Sequence, residues 1–254
     1  MNNKVSAIVI AKNNQELIPD CLDSLSWANE IVLVDTGSTD KTNEIALRHG
    51  VKIFKAERKG FSYWRNLGAE KAQGDWLLYV DTDERVTPEL RKEIHETVKK
   101  GELNAYAIPR KNILLGRPMH WGGWWPDYVL RLIEKDSLIG WKGDLHEQPG
   151  VKGDVGKLKN SLTHISHRSL EEMVAKTNEW SEIEAKLLFK SGHPKMAWWR
   201  FISVGAREFW YRAILKLGFL DGVVGAIEII FQMFSRMITY AKLWEMQKNE
   251  SRNI

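Results

Sequence analysis

The sequence predicts an α/β protein with an elaborated second half, and three observations carry that reading. Short β-branched runs alternate with helical periodicities through the first 85 residues. Polar side chains stand at the ends of those runs. After Asp83 the alternation gives way to strand-like pieces among glycines and tryptophans.

Val5 to Ala11 (VSAIVIA) has the texture of a strand buried on both faces. The helix after it repeats Leu17, Ile18, Cys21, Leu22 and Leu25 at spacings of three and four, with Pro19 early, where proline is tolerated. A strand over Ile31 to Val34 runs into DTGSTDKT, and a helix from Asn43 is stopped by Gly50. Val51 to Phe54, a helix over Tyr63 to Ala72 and Trp76 to Val80 complete the alternation. Right-handed crossovers then give a parallel sheet, whose ligands bind beyond the carboxyl ends of its strands. Asn13, Asp35, Asp81 and Asp83 all fall at those ends.

Thr87 is the predicted N-cap of a helix to Lys99, with Pro88 at its first position and Glu89 in its first turn. AYAIPR, YVLRLIE and SLTHIS read as strands of a mixed or antiparallel layer. Ser169 with Glu172 forms a capping box for a helix whose apolar positions are Leu170, Met173, Val174, Trp180, Ile183 and Leu187. Beyond it, residues 195–248 mix aromatic residues with cations, the composition of amphipathic helices that lie in the headgroup plane of an anionic bilayer; a hairpin packed on the core or an oligomer interface is the competing reading. The expected division is therefore 1–194 as the α/β domain and 195–254 as an amphipathic membrane-association segment.

Composition excludes little else. At 254 residues, 43% hydrophobic and 28% charged, the chain is globular, and a net charge of +4 suits nucleic acid, an anionic membrane or a phosphorylated substrate equally. No nucleic-acid recognition motif and no basic stripe on the N-terminal half support the first. One cysteine, Cys21, cannot form an intrachain disulfide, which favours a reducing cytoplasm. No stretch reaches the ~18 uncharged apolar residues of a spanning helix, so the chain is expected to be neither exported nor threaded through a bilayer.

The chemistry concentrates in LLYVDTDERV. An Asp-x-Asp at a strand end offers hard oxygens to Mg²⁺ or Mn²⁺ shared with substrate phosphates, although a lone pair of this kind is also a common solvated turn. Asp35, followed by Gly37, Ser38 and Thr39, can accept from base N–H groups or ribose hydroxyls, whereas Asp40 reads equally well as a helix N-cap. Arg131, inside an apolar strand pattern, suits donor phosphates or an internal ion pair. Glu147 in GDLHEQPG is a candidate base or an exposed turn glutamate, with His146 its neighbour. The indoles of MHWGGWW (Met119 to Trp125) and Trp141 suit a sugar platform, a lid or a packed second layer.

Strand then IAKNN, IVLVDTGSTDKT, WRNLGAEKAQGDW and LLYVDTDE resemble, in order and spacing, family 2 glycosyltransferases with the GT-A fold, a Rossmann-like mixed sheet with flanking helices. PDYVLRLIEK, GDLHE and THISHRSLEEMVAKTNEW are similar to the WaaE-type lipopolysaccharide core β-glucosyltransferases. The resemblance implies inverting transfer of a hexose, glucose in that subgroup, from a UDP-linked donor with Mg²⁺ or Mn²⁺, to a glycan or glycolipid at the inner face of the cell membrane. By position it implies Asp35 at the base or ribose, Arg65 at the base or diphosphate, Asp81 at the ribose or a metal-bound water, Asp83 on the metal, His164 or its rival His167 on the metal or diphosphate, and Glu147 as the base. A non-catalytic membrane-docked binding module and a sugar nucleotidyltransferase are the alternatives; the second lacks its Gly-rich phosphate loop here, where the sequence reads AKNNQEL.

Overall fold

The computed structural model describes residues 3–57, 59–143 and 147–250. Its elements are β1 (Val5–Ala11), α1 (Ile18–Leu25), β2 (Glu30–Asp35), α2 (Thr42–Arg48), β3 (Lys52–Lys55), α3 (Phe61–Lys71), β4 (Trp76–Tyr79), β5 (Glu84–Val86) and α4 (Pro88–Lys100). The second half adds β6 (Ala105–Leu114), β7 (Arg117–Pro118), β8 (Asp127–Glu134), β9 (Leu138–Lys142), β10 (Gln148–Val151), β11 (Val155–Lys157), β12 (Leu162–His167), α5 (Leu170–Lys190), α6 (Trp198–Phe209) and α7 (Gly222–Glu250).

The sheet runs β3-β2-β1-β4-β8-β6-β12-β5. The first four strands are parallel, as the alternation requires, and β8 joins β4 antiparallel through Trp76–Glu134, Leu77–Ile133 and Leu78–Leu132. The sheet is mixed: β8, β6 and β7 join antiparallel, while β11 pairs parallel with β6. β1 is buried at every position, since helices cover both faces of a parallel sheet. Ile18, Cys21, Leu22 and Leu25 of α1 pack into one core cluster, while Ala69 and Ala72, in and just after α3, pack with Ile8, Leu77 and Tyr79 in another.

Local signals hold where predicted. Thr87 caps α4 by accepting from Leu90 N, and Ser169 caps α5 by accepting from Glu172 N. The Glu172 carboxylate returns to Arg168 N, one residue before the cap.

The chain divides into two compact units, residues 1–111 with 127–165, and residues 112–126 with 166–254. This division does not coincide with the boundary expected at 194, because α5 belongs with α7: Arg236 and Thr239 both reach Glu184, and Lys242 Nζ donates to Asn178. The buried face of α5 is Met173, Thr177, Ser181 and Ala185, and the large apolar side chains read from its periodicity, Met173 apart, are exposed. One helix bears on the expectation that no segment spans a bilayer. Residues 218–250 form a helix long and apolar enough, by length and composition, to cross a membrane. A search for uncharged runs misses it because isolated charges interrupt the run; one of them, Glu228, is only 2% exposed within its unit.

Candidate active site

The turn from β4 into β5 is built by its own acids. Glu84 N donates to Asp81 O at 2.9 Å, and Asp81 N donates to Glu84 Oε2 at 3.0 Å. β12 then pairs antiparallel with β5, with His164 opposite Glu84, and Ile165 N donates to Asp83 O at 2.8 Å. That register sets His164 Nε2 3.5 Å from Asp83 Oδ2, with both side chains largely buried.

Asp81 is the hub of a charge network. Arg65 of α3 donates through Nη2 to its Oδ1 at 3.1 Å and through Nε to Glu147 Oε1 at 3.0 Å. Arg131 of β8 donates to Asp81 Oδ2 and to Glu84 Oε1, the latter at 3.0 Å. Burial alone would raise the Asp81 pKa, but the Arg131 and Arg65 guanidiniums outweigh it and hold the carboxyl well below the usual range. Burial likewise opposes the charge on Arg131, and Asp81 and Glu84 reverse that, pushing its pKa up. Arg65 is fixed from behind by Trp141, whose ring lies 4.7 Å from the guanidinium carbon and meets Tyr79 edge-on at 4.8 Å. Beneath the turn, the buried Cys21 Sγ lies 3.6 Å from Asp81 O, and burial pushes its thiol pKa up.

The second strand end is also ordered. Asp35 is 3% exposed and accepts from Ser38 N and Asn43 Nδ2, both at 2.9 Å. Burial is again outweighed, here by the hydrogen bonds from Ser38 and Asn43, so its pKa is lowered. Gly37 takes φ +106, a conformation that glycine adopts without strain. Asn13 at φ 52 accepts from Thr39 N at 2.8 Å and donates its own N–H to Ser38 Oγ at 3.0 Å. It clamps the 37–40 loop. Asp40 accepts from Thr42 N at 3.0 Å and from Gln15 N at 3.0 Å, but it stands one residue before the N-cap of α2, which is Lys41 and carries no side-chain cap, so it is not the cap read from sequence.

The candidates thus fall into two groups, Asn13 with Asp35, and Arg65, Asp81, Asp83, Arg131, Glu147 and His164. Arg131 takes the ion-pair reading, and Glu147, with a side chain 14% exposed, is not a free turn glutamate. His167 Nδ1 is buried, and its backbone O accepts from Leu115 N. His146 lies outside the described residues. Trp141 is core, at 5% exposure, whereas Trp121 and Trp125 are exposed. Glu84, next to the Asp-x-Asp pair, is a site residue that the sequence reading missed: it is fully buried and holds Arg131. Its signal was present in the period-two alternation of Glu84-Arg85-Val86, which places Glu84 on the inward face with Val86.

Asp83 and His164 fit one side of a divalent-cation site. They offer a carboxylate and an imidazole, and among the described residues no group of three or more His, Cys, Asp or Glu is placed to hold a metal. Mg²⁺ is commonly held by one or two carboxylates while substrate phosphates and water complete its octahedral shell, so a two-ligand set suffices.

A parallel half-sheet with acids at its carboxyl ends, completed by an antiparallel half, is a GT-A architecture. The family described as Glycosyl transferase family 2 matches residues 6–144, more than half of the chain. The chain belongs to that family and is a glycosyltransferase. It is 28% identical to an uncharacterized glycosyltransferase of Rickettsia bellii (strain RML369-C), over 97% of this chain and 88% of the relative. It is 25% identical to the lipopolysaccharide core biosynthesis glycosyltransferase LpsC of Rhizobium meliloti (strain 1021), over 98% and 94%. Among solved structures, glucosyl-3-phosphoglycerate synthase from Mycobacterium tuberculosis in complex with Mg²⁺ and UDP superposes with a TM-score of 0.50 at 17% identity, covering 76% of this chain and 81% of that one.

Proposed function

We propose that the chain transfers a hexose from a UDP-sugar, with inversion, to a membrane-associated glycan or glycolipid such as lipopolysaccharide core, in the manner of the WaaE-type enzymes. The observation that carries this reading is the continuous chain Glu147–Arg65–Asp81, with Asp83 on the same turn paired to His164 of β12. It puts a candidate base and a candidate cation site on one guanidinium-linked frame. The UDP and Mg²⁺ of the mycobacterial structure and the name of the LpsC relative support the donor and acceptor classes.

Arg65 engages Glu147 Oε1, and among the described residues Oε2 carries no hydrogen bond. Oε2 takes the proton of the acceptor hydroxyl, whose oxygen bonds to the anomeric carbon while the bond to the donor's diphosphate breaks with its electron pair. Asp83 and His164 would hold Mg²⁺ or Mn²⁺, which would supply charge neutralisation for the departing UDP. Asp35 accepts from the uracil or ribose, Asn13 shapes the loop beside it, and Arg131 keeps Asp81 oriented. Residues 195–254 associate with the inner face of the membrane.

Glu147→Gln should leave UDP-sugar affinity near the parent value and lower transfer by about 10²–10⁴-fold. Asp83→Ala should abolish the Mn²⁺-dependent part of the UDP-sugar thermal shift. A Glu147→Gln protein that transfers normally would move the base elsewhere. An Asp83→Ala protein that keeps the metal dependence would remove the cation from this turn. UDP-sugar binding without transfer in the parent chain would favour a non-catalytic binding module.

A further inference from the structure

We propose that a pocket of about 410 Å³ in the second unit, between the 120–125 loop and the 215–217 turn, binds the phosphate-bearing headgroup of an anionic lipid. The lipid's chains would lie against the apolar apex that adjoins it. The proposal deepens the reading of a membrane-borne acceptor and rests on it for the lipid's role as substrate.

The corner is built at some cost to the backbone. Residues Trp210–Leu215 form a π-helical turn, a rare conformation that recurs at functional sites, and Leu217 follows in the left-handed region at φ 51. Gly218 allows the chain to close: a Cβ there would lie 2.9 Å from Arg212 O and 3.0 Å from Gly122 Cα. The 120–125 loop is then pinned to the turn. Gly122 N donates to Lys216 O at 2.8 Å, Arg212 Nη1 donates to Gly122 O at 3.0 Å, and the Asp221 carboxylate accepts from His120 N at 3.1 Å and Trp121 N at 2.8 Å.

What this frame displays is amphiphilic. His120, Trp121, Trp125, Leu215, Lys216 and Leu217 line the pocket. The Lys216 ammonium makes no ion pair among the described residues and lies 5.6 Å from the Tyr211 ring. It is available to a phosphate, and the indole faces suit the glycerol or sugar that the phosphate carries. Asp221 does not oppose an anion, because its carboxylate is committed to backbone N–H groups. Next to the pocket, Trp210, Leu215, Phe219, Leu220 and Val223 are 51–73% exposed, a run of large apolar side chains with no cover among the described residues.

Charge selects the occupant. From 195 to 223, Lys195, Arg200, Arg207 and Lys216 make no ion pairs among the described residues, while Glu208 is paired with Arg212 at 2.6 Å. A second copy placed on this surface about a two-fold axis would set like charges against each other. An anionic bilayer complements them, and the Arg200 guanidinium 4.6 Å from the Trp199 ring is the pairing that membrane interfaces favour.

The test uses the full chain with phosphatidylcholine vesicles and with mixed phosphatidylcholine–phosphatidylglycerol vesicles. The parent should sediment with the mixed vesicles only, and glycerol 3-phosphate should compete weakly. Lys216→Glu, at an exposed position, should lower binding about thirtyfold, since it removes a cation and adds an anion and each charge near such a surface contributes ~1 kcal/mol. Trp121→Ala should lower it as well, with circular dichroism and the UDP-sugar thermal shift unchanged in both. Equal binding by Lys216→Glu and the parent, equal binding to the two vesicle types, or a concentration-dependent dimer that these substitutions dissociate would each overturn the proposal. If no UDP-sugar shifts the melting temperature while vesicle binding still depends on Lys216, the lipid site stands and the transferase reading of the first unit falls.

Discussion

Glu84 shows how much of the site rests on a residue that meets no substrate in this reading. It is 0% exposed, receives Arg131 Nη2 at 3.0 Å, and has Arg110 Nη1 at 3.6 Å. Breaking a buried ion pair by neutralising one partner leaves the other charge uncompensated. Glu84→Gln should therefore cost about 3 kcal/mol, read as a lower denaturant midpoint at unchanged slope. Asp81 would remain on Arg131, so the Arg65–Glu147 half of the network should persist. A midpoint equal to the parent's would mean that Arg131 is balanced by Asp81 alone.

At the scale of elements, the caps and the parallel strands were legible because their signals are local. Thr87 before Pro88, and Ser169 before Glu172, carry their own hydrogen-bonding logic within four residues. The network around Asp81 was not legible, because it depends on β8 entering beside β4 and β12 beside β5, pairings that join residues some 50 to 80 positions apart. The individual acids at strand ends could be read; that Arg131 turns to them and that Trp141 backs Arg65 could not. The buried face of α5 was hidden for a similar reason: small side chains pack closely on α7, and periodicity rewards only large ones.

α7 carries a strongly perturbed acid outside the site, Glu228. Burial raises the Glu228 pKa to about 7, opposed by the hydrogen bond from Gln232 and the charge of Arg212 and reinforced by Glu208. The folded state thus binds more protons than the unfolded state between pH 4.5 and about 7, so stability falls as pH rises through that window and is lowest above it. Glu228→Gln should match the parent near pH 4.5 and exceed it at pH 8 by up to about 3 kcal/mol, about 2–4 °C of melting temperature per kcal/mol. Equal melting temperatures at pH 8 would show that the carboxylate finds compensation when ionised.

For the whole molecule, the division into two units predicts where the chain can be cut. A chain ending at residue 195 keeps α5 but removes α7, leaving Met173, Thr177, Ser181 and Ala185 bare. Its melting temperature should fall by about 10 °C, as a loss of 3–5 kcal/mol gives in a chain of this length. Circular dichroism should show α5 unwinding. A truncated chain that melts with the parent would return α5 to the catalytic domain. Vesicle binding measured on that truncation alone would confuse loss of a docking surface with loss of folded structure, so point substitutions at exposed positions are the sharper instrument.

Cys21 offers a clock for the site's own motion. Its sulfur is 0% exposed under the Asp81 carbonyl, and burial keeps it as the unreactive thiol. A disulfide reagent can reach it only when α1 lifts from the turn that holds Asp81 and Asp83. Because it is the chain's single cysteine, labelling kinetics would report that opening with no background from other thiols. A donor nucleotide that grips the turn from the opposite side should slow the labelling, and the ratio of rates with and without it would measure how firmly substrate binding locks this part of the sheet.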